Sequence, residues 1–321
     1  MNKKQIWICI IWFNVIMIIC GINFFLLDKD FSAGQIEDNL KIGACYTNMK
    51  NSYFEVLNNE ISSVIEEHGD ILITRDASMD PDKQNEQIMK LIELGVKGIF
   101  VTPVNWKKIE PVLKSAREKG VIIVAVDSSV FHEELVDCSV TSDNYGAGKQ
   151  VANYIMSQVK EAKIVLIKQE SLQSSQERIK GFKDGIVNMK EYQIMEEKEC
   201  SGQVKNAMKS IQEVFNKGIQ FDYVFAINDP FAIGAIAILE KLGVESNIKV
   251  IGMDGSPAGK SMVKKEKMLA TAAQYPTEIG SKAVESMYHL LMGQKCEKKI
   301  LVPVKLITNC TIDSYNTYKW Q

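Results

Sequence analysis

The stretch Tyr223-Val-Phe-Ala-Ile-Asn-Asp-Pro-Phe-Ala-Ile-Gly234 decides the fold. Tyr223 to Ile227 form a short apolar run rich in aromatic and β-branched side chains, the pattern of a strand covered on both faces. Asn228 and Asp229 follow at once. Then Phe231, Ile233, Ala235, Ile236, Ile238 and Leu239 take up a helical pattern. Two strongly polar side chains therefore stand where a strand ends and a helix begins. In an open parallel sheet that carboxyl edge is where ligands bind. Either residue could instead simply cap the helix, so the reading turns on whether the arrangement recurs.

It recurs along most of the chain. Lys41–Tyr46, Asp70–Thr74, Gly98–Thr102 and Val121–Val126 read as strands, and another lies within Ser139–Asn144. Helical patterns alternate with the first four, and Gly69, Gly95 and Gly120 stand just past the helix ends, as C-terminal capping favours. The second half repeats the scheme. Its strands are Lys163–Ile167, the opening stretch, Ile248–Met253 and Met268–Gln274, with helices over Gly146–Val159, Gln176–Asn188, Val204–Asn216 and Thr277–Met292. Short strands near Ile300–Val302 and Lys305–Ile307 close the chain. Alternating strands and helices imply parallel sheets built by right-handed crossovers. The expected fold is α/β, with two doubly wound parallel-sheet lobes.

Composition sets the bounds. The chain has 321 residues, 46% hydrophobic and 24% charged, with a formal net charge of -2, so no nucleic-acid-binding surface is signalled. Its seven cysteines form no CxxC pair, and its three histidines are scattered, so neither a disulfide framework nor a metal site is indicated. Ile6 to Leu27 carry no charge, which is long enough to span a bilayer, and Lys3 and Lys4 precede them. The expectation is an uncleaved signal anchor over 1–27 and a linker over 28–39, with the remainder outside the cytoplasmic membrane. Cleavage and lipidation at Cys20 is the alternative.

The strand ends carry a consistent chemistry. Asn51, Tyr53 and Phe54 follow the first strand, and Asp127-Ser-Ser129 the fourth. Asn228-Asp229, Asp254-Gly255 and Gln274-Tyr275 end strands of the second half. Aromatic rings cover the C–H faces of a neutral polyhydroxylated ligand, while amides and carboxylates match its hydroxyls. Phe54 also falls on the core stripe of its helix with Leu57 and Ile61. Asp127 and Asp254 are expected to point into one cleft, with Asp254 solvated there rather than holding a core together.

Residues 40–308 resemble the periplasmic sugar-binding proteins of the ribose-binding type, whose fold is shared with the ligand-binding core of lac-repressor-type regulators. The resemblance rests on Asn51-Ser-Tyr-Phe54, Asp82–Ile88, Val121–Asp127, Ser142-Asp-Asn144, Glu177–Phe182, Ala226–Asp229, Gly234-Ala235, Gly252–Gly255 and Ala273–Pro276. It implies an N-terminal lobe of 40–143 and 275–303, and a C-terminal lobe of 144–274 and 304–321. Three hinge crossings, near Asp143–Asn144, Gln274–Tyr275 and Pro303–Val304, would join lobes that close on a ligand. The implied ligand contacts are Asn51, Tyr53, Phe54, Asp127, Asn228, Asp254 and Gln274. The implied partners are a sugar or polyol and an ABC permease, or alternatively a membrane sensor such as a histidine kinase. Neither catalysis, metal nor cofactor is implied.

The chain departs from ribose binders at several positions. Ser128 stands where they carry an arginine, and Gln176 is read as replacing a second, with Arg178 two positions on. Thr102 replaces an asparagine, and the second lobe's aromatic would fall near Ser201. Ribose itself is therefore not the expected ligand. Weaker signals have plainer readings. Gly146-Ala-Gly148-Lys149 lacks the phosphate-loop spacing. Asp76, Asp80 and Asp82 lack the rest of a calcium loop and read as a turn and a cap. Ser174 and Ser175 have no histidine near them in sequence.

Overall fold

The computed structural model describes residue 2, residues 39–202 and residues 204–321. The expected anchor over 1–27, apart from residue 2, and all but the last residue of the linker fall outside the described residues. Among the described residues no helix is long and apolar enough to cross a membrane. Lys41–Gln321 form one compact unit.

The first half runs β1 (Lys41–Tyr46), α1 (Ser52–Glu67), β2 (Ile71–Asp76), α2 (Pro81–Glu93), β3 (Gly98–Val101), α3 (Glu110–Glu118), β4 (Ile122–Val126) and β5 (Cys138–Ser142). The second runs α4 (Asn144–Gln158), β6 (Ala162–Lys168), α5 (Gln173–Gly185), β7 (Tyr192–Glu199), α6 (Val204–Asn216), β8 (Tyr223–Ala226), α7 (Asp229–Leu242), β9 (Lys249–Asp254), α8 (Pro257–Lys264) and β10 (Ala270–Ala273). Then follow α9 (Pro276–Leu291), β11 (Lys299–Val302) and β12 (Lys305–Thr308).

The strands form two six-stranded sheets, ordered β11-β5-β4-β3-β1-β2 and β12-β10-β9-β8-β6-β7. In both, the order reverses about the first strand of its half, which is the doubly wound arrangement. The chain passes from one sheet to the other after β5, β10 and β11. The first sheet is wholly parallel, whereas β12 runs antiparallel to β10, pairing Ala270 with Thr308 and Ala273 with Lys305. This departs from the all-parallel expectation. The chain reaches β12 from the end of β11 through Pro303 and Val304 alone, too short for the crossover that a parallel strand requires.

The two-residue alternation of the strands builds the core. On β1, Ile42, Ala44 and Tyr46 join one apolar cluster with Leu57 and Ile61 of α1 and Ile279, Ala283 and Met287 of α9. Cys45 of the same strand joins another with Ile88 and Leu91 of α2 and Leu113 of α3. Helices thus cover both faces, which is why these strands read as nearly continuous apolar runs. In the second sheet, Ile164 to Ile167, Tyr223 to Ala226 and Ile251 share one cluster with Phe182, Ile211 and Phe231.

The strand β7 was not foreseen. Its sequence, Tyr-Gln-Ile-Met-Glu-Glu-Lys-Glu, has no apolar run, because it is an edge strand and most of its residues are only half-buried. Charges on an edge discourage unwanted pairing. The register against β6 also slips, with Ile194 opposite Ile164 and Glu196 opposite Val165.

Candidate functional site

The carboxyl edges of the two sheets face a cavity of about 500 Å³. Its lining includes Asn51, Tyr53, Phe54, Asp127, Asn228, Asp254 and Gln274, so all seven sequence-predicted residues meet at one place. Gln169, Ser174, Arg178 and Phe231 also line it. Each half of the chain contributes an aspartate at a strand end with a positive φ, 67° at Asp127 and 121° at Asp254. Such backbone is costly for a residue with a Cβ, on the order of 1–3 kcal/mol, and tends to cluster at functional sites.

Local structure explains how each side chain is placed. Asn51 caps α1, its Oδ1 accepting the Tyr53 N–H at 3.1 Å. Asn228 caps α7 in the same way, accepting the Phe231 N–H at 2.8 Å. Capping and cleft lining are thus both true of these asparagines, and their amide NH₂ groups remain as donors. Tyr53 and Phe54 pack edge to face with ring centroids 5.2 Å apart. Phe54 is buried with Leu57 and Ile61 while still lining the cavity, so its core and cleft roles coexist. The Tyr53 hydroxyl is buried beside the Asp127 carboxyl. Gln274 spans the halves, its Oε1 accepting from Ser142 Oγ and its Nε2 donating to Asp254 Oδ1, both at 2.8 Å.

Asp254 is not solvated as expected. It is 5% exposed, wedged between Gln274 and the N-terminus of α7. Burial pushes its carboxyl well above the usual carboxylate range, and the Asp229 carboxylate beside it adds to this while Arg178 opposes it. Burial likewise raises Asp127, against the pull of Arg178 and the Tyr53 hydroxyl.

Arg178 is the residue that sequence reasoning misplaced. Gln176 stays outside the cavity, its Nε2 donating to the Glu170 carbonyl at 3.2 Å. The guanidinium in the cleft belongs to Arg178, 4% exposed, on the same face of α5 as Ser174 and Phe182 four residues away on either side. Its Nε donates to Asn144 Oδ1 at 2.8 Å, its Nη1 donates to the Ile227 carbonyl at 2.6 Å, and Asp254 Oδ1 lies 3.9 Å off. Helical facing rather than linear alignment was the signal that could have found it.

The other departures also resolve. Ser128 Oγ accepts the Ser174 N–H at 3.1 Å, and the Trp106 N–H donates to the Ser171 carbonyl at 3.0 Å, so the two halves touch across the mouth of the cleft. Thr102 does not line the cavity, and its hydroxyl donates to the Val126 carbonyl at 3.0 Å. Near Ser201 no aromatic enters, and Gly202 and Val204 line that wall instead. Asp229, paired with Asn228 at the outset, sits behind the cleft. Ser256 donates to its Oδ2 through N–H and hydroxyl, and Thr271 donates to Oδ1.

With this geometry in view, the periplasmic binding protein domain profile matches residues 42–295. The chain belongs to the periplasmic binding proteins. This family is one of extracytoplasmic binding proteins rather than enzymes. The ribose import binding protein of Bacillus subtilis is 29% identical to this member over 83% of this chain and 87% of its own length. Among solved structures, an ABC-transporter solute-binding protein from Bacillus halodurans with bound myo-inositol superposes with a TM-score of 0.81. It is 21% identical and covers 86% of this chain and 97% of its own. The fructose-binding periplasmic domain of a hybrid two-component system also reaches 0.81, at 22% identity over 86% of this chain and 93% of its own. The fold is therefore that of a periplasmic binding protein of the sugar-binding type.

Proposed function

We propose that the protein is a solute-binding protein, tethered to the membrane by residues 6–27, that encloses one small sugar or polyol between its lobes and delivers it to an ABC permease. The observation that carries this reading is the convergence of Asp127, Asp254, Arg178, Asn228 and Gln274 with Tyr53 and Phe54 on one cavity. A cavity of that size lies at the small end of ligand pockets and suits a monosaccharide. The carboxyl oxygens of Asp127 and Asp254 accept hydrogen bonds from ligand hydroxyls, and Arg178 and the asparagine NH₂ groups donate to ligand oxygens. Tyr53 and Phe54 cover an apolar face of the ring. The cleft binds without catalysis and without a cofactor. The competing reading, a sensor that reports closure to a histidine kinase, draws on the likeness to the fructose-binding domain. Crosslinking to the membrane partner separates the two.

A thermal-shift screen of residues 39–321 against sugars and polyols tests the ligand class, because a ligand that binds only the folded state raises its stability. Asp254→Ala should weaken the identified ligand by about 2–5 kcal/mol, the scale for losing one partner of a buried charged hydrogen bond. It should also cost some stability, since Gln274 Nε2 loses its acceptor. If Asp254→Ala and Asn228→Ala both bind with unchanged affinity, the polar strand ends are caps only.

A further inference from the structure

The segment after β12 returns to the cleft. Trp320 packs on Tyr53 with ring centroids 5.5 Å apart and planes at 72°, on the side of the first sheet. One residue on, the Gln321 amide reaches the second sheet. Its Nε2 donates to the Asp254 carbonyl at 3.2 Å and also to the Gln274 carbonyl. Three of the seven cleft residues therefore have a neighbour in the last two residues of the chain.

The second half holds this segment with a charge. Lys260 of α8 is 1% exposed, and its Nζ donates to the Lys319 carbonyl at 2.6 Å and to Gln321 Oε1 at 3.0 Å. An ammonium so fully covered is costly unless it is hydrogen-bonded. Both of these acceptors come from the tail, so the socket and the tail are matched. The neighbouring Gly255 is matched as well. A Cβ there would stand 2.8 Å from Gln321 Nε2 and 2.6 Å from Ala273 Cβ, at a φ of +65°.

We propose that Lys319–Gln321 form a positioning strap for the cleft. Trp320 fixes the Tyr53 ring, and Gln321 pins the strand ends that carry Asp254 and Gln274. Because the strap grips an aromatic of the first half and backbone of the second, it is a link between the lobes additional to the three chain crossings. Contacts to both halves at once favour the arrangement in which they are made. The strap's effect on affinity rests on the proposed binding function, whereas its effect on lobe opening does not.

Two measurements separate these. The first needs no ligand: X-ray scattering of residues 39–321, of the same chain ending at Thr317, and of Lys260→Met. The strap predicts a larger radius of gyration for both altered proteins than for the parent. An unchanged radius in both overturns it. The second is calorimetric titration with the tightest binder among D-ribose, D-allose, xylitol and myo-inositol. Trp320→Ala should weaken binding about 10-fold or more, while Trp320→Phe, which keeps an edge-to-face ring, should recover most of the loss. A merely structural tail would lower the melting temperature and leave the affinity of the folded fraction unchanged, and that result overturns the positioning role. If none of the four probes binds the parent, the proposed ligand class fails and the scattering comparison still decides the strap.

Discussion

Asp229 shows how one residue can be read correctly as polar and wrongly as part of the binding edge. It stands beside Asn228 at the end of β8, yet the folded chain turns it inward to hold Ser256 and Thr271. Burial raises its carboxyl to about 6, although those three hydrogen bonds and Arg178 pull the other way. The unfolded value is near the ordinary 3.9. The folded chain thus holds this proton more tightly than the unfolded one. The stabilisation is fully present below about pH 4 and is lost as pH rises through about 6. Asp229→Asn should remove Asp229's share of that dependence, leaving the same-signed shares of Asp127 and Asp254, and should cost about 1–3 kcal/mol by misplacing a donor against donors. Denaturant midpoints of parent and variant between pH 4 and 7 check this. The parent's advantage should shrink toward pH 7, and parallel curves would refute the assignment.

At the scale of the element, the α4–α5 pair places Arg178. Gly148, read as part of a failed phosphate loop, has a packing role, and so does Gly181. A Cβ on Gly148 would stand 2.0 Å from the Arg178 carbonyl oxygen, and one on Gly181 2.0 Å from the Tyr145 carbonyl oxygen. The two helices can touch backbone to backbone only because both positions lack a side chain. The obstacle in each case is backbone, which cannot swing aside. Gly148→Ala should therefore destabilise by about 1–3 kcal/mol, the scale of overpacking. It should also lower ligand affinity, because pushing α5 away withdraws the guanidinium from Asp254. Melting curves and titration of the same variant check both, and a Gly148→Ala protein with parental stability and affinity would show that the helices have room to part. The acidic cluster resolves in the same local way: Asp76 accepts from the Met49 and Ser78 N–H groups, and Asp80 caps α2.

At the scale of the whole molecule, the anchor proposed over Ile6 to Leu27 would hold the cleft at the outer face of the cytoplasmic membrane. The uncharged run from Ile6 to Leu27 is long enough to span a bilayer, and Lys3 and Lys4 precede it. The full chain should stay with membranes through carbonate washing, and recovery of a soluble mature form beginning near residue 28 would refute it. Much of the architecture was legible in the sequence, because hydrophobic periodicity is a local signal. Strands buried on both faces, the glycines after the helices and the polar strand ends are all written in runs of a few residues. The edge strand β7 was not legible, since half-exposed pairing leaves no apolar run. What only the tertiary structure decided is which polar side chains meet. Arg178 enters the cleft because of the helical face it shares with Ser174 and Phe182, Asp254 is buried rather than solvated because two elements close over it, and Trp320 reaches Tyr53 across more than two hundred and sixty residues of chain. Periodicity fixes which face of its own element a side chain occupies, whereas the partners of that face are set by the packing of elements distant in sequence.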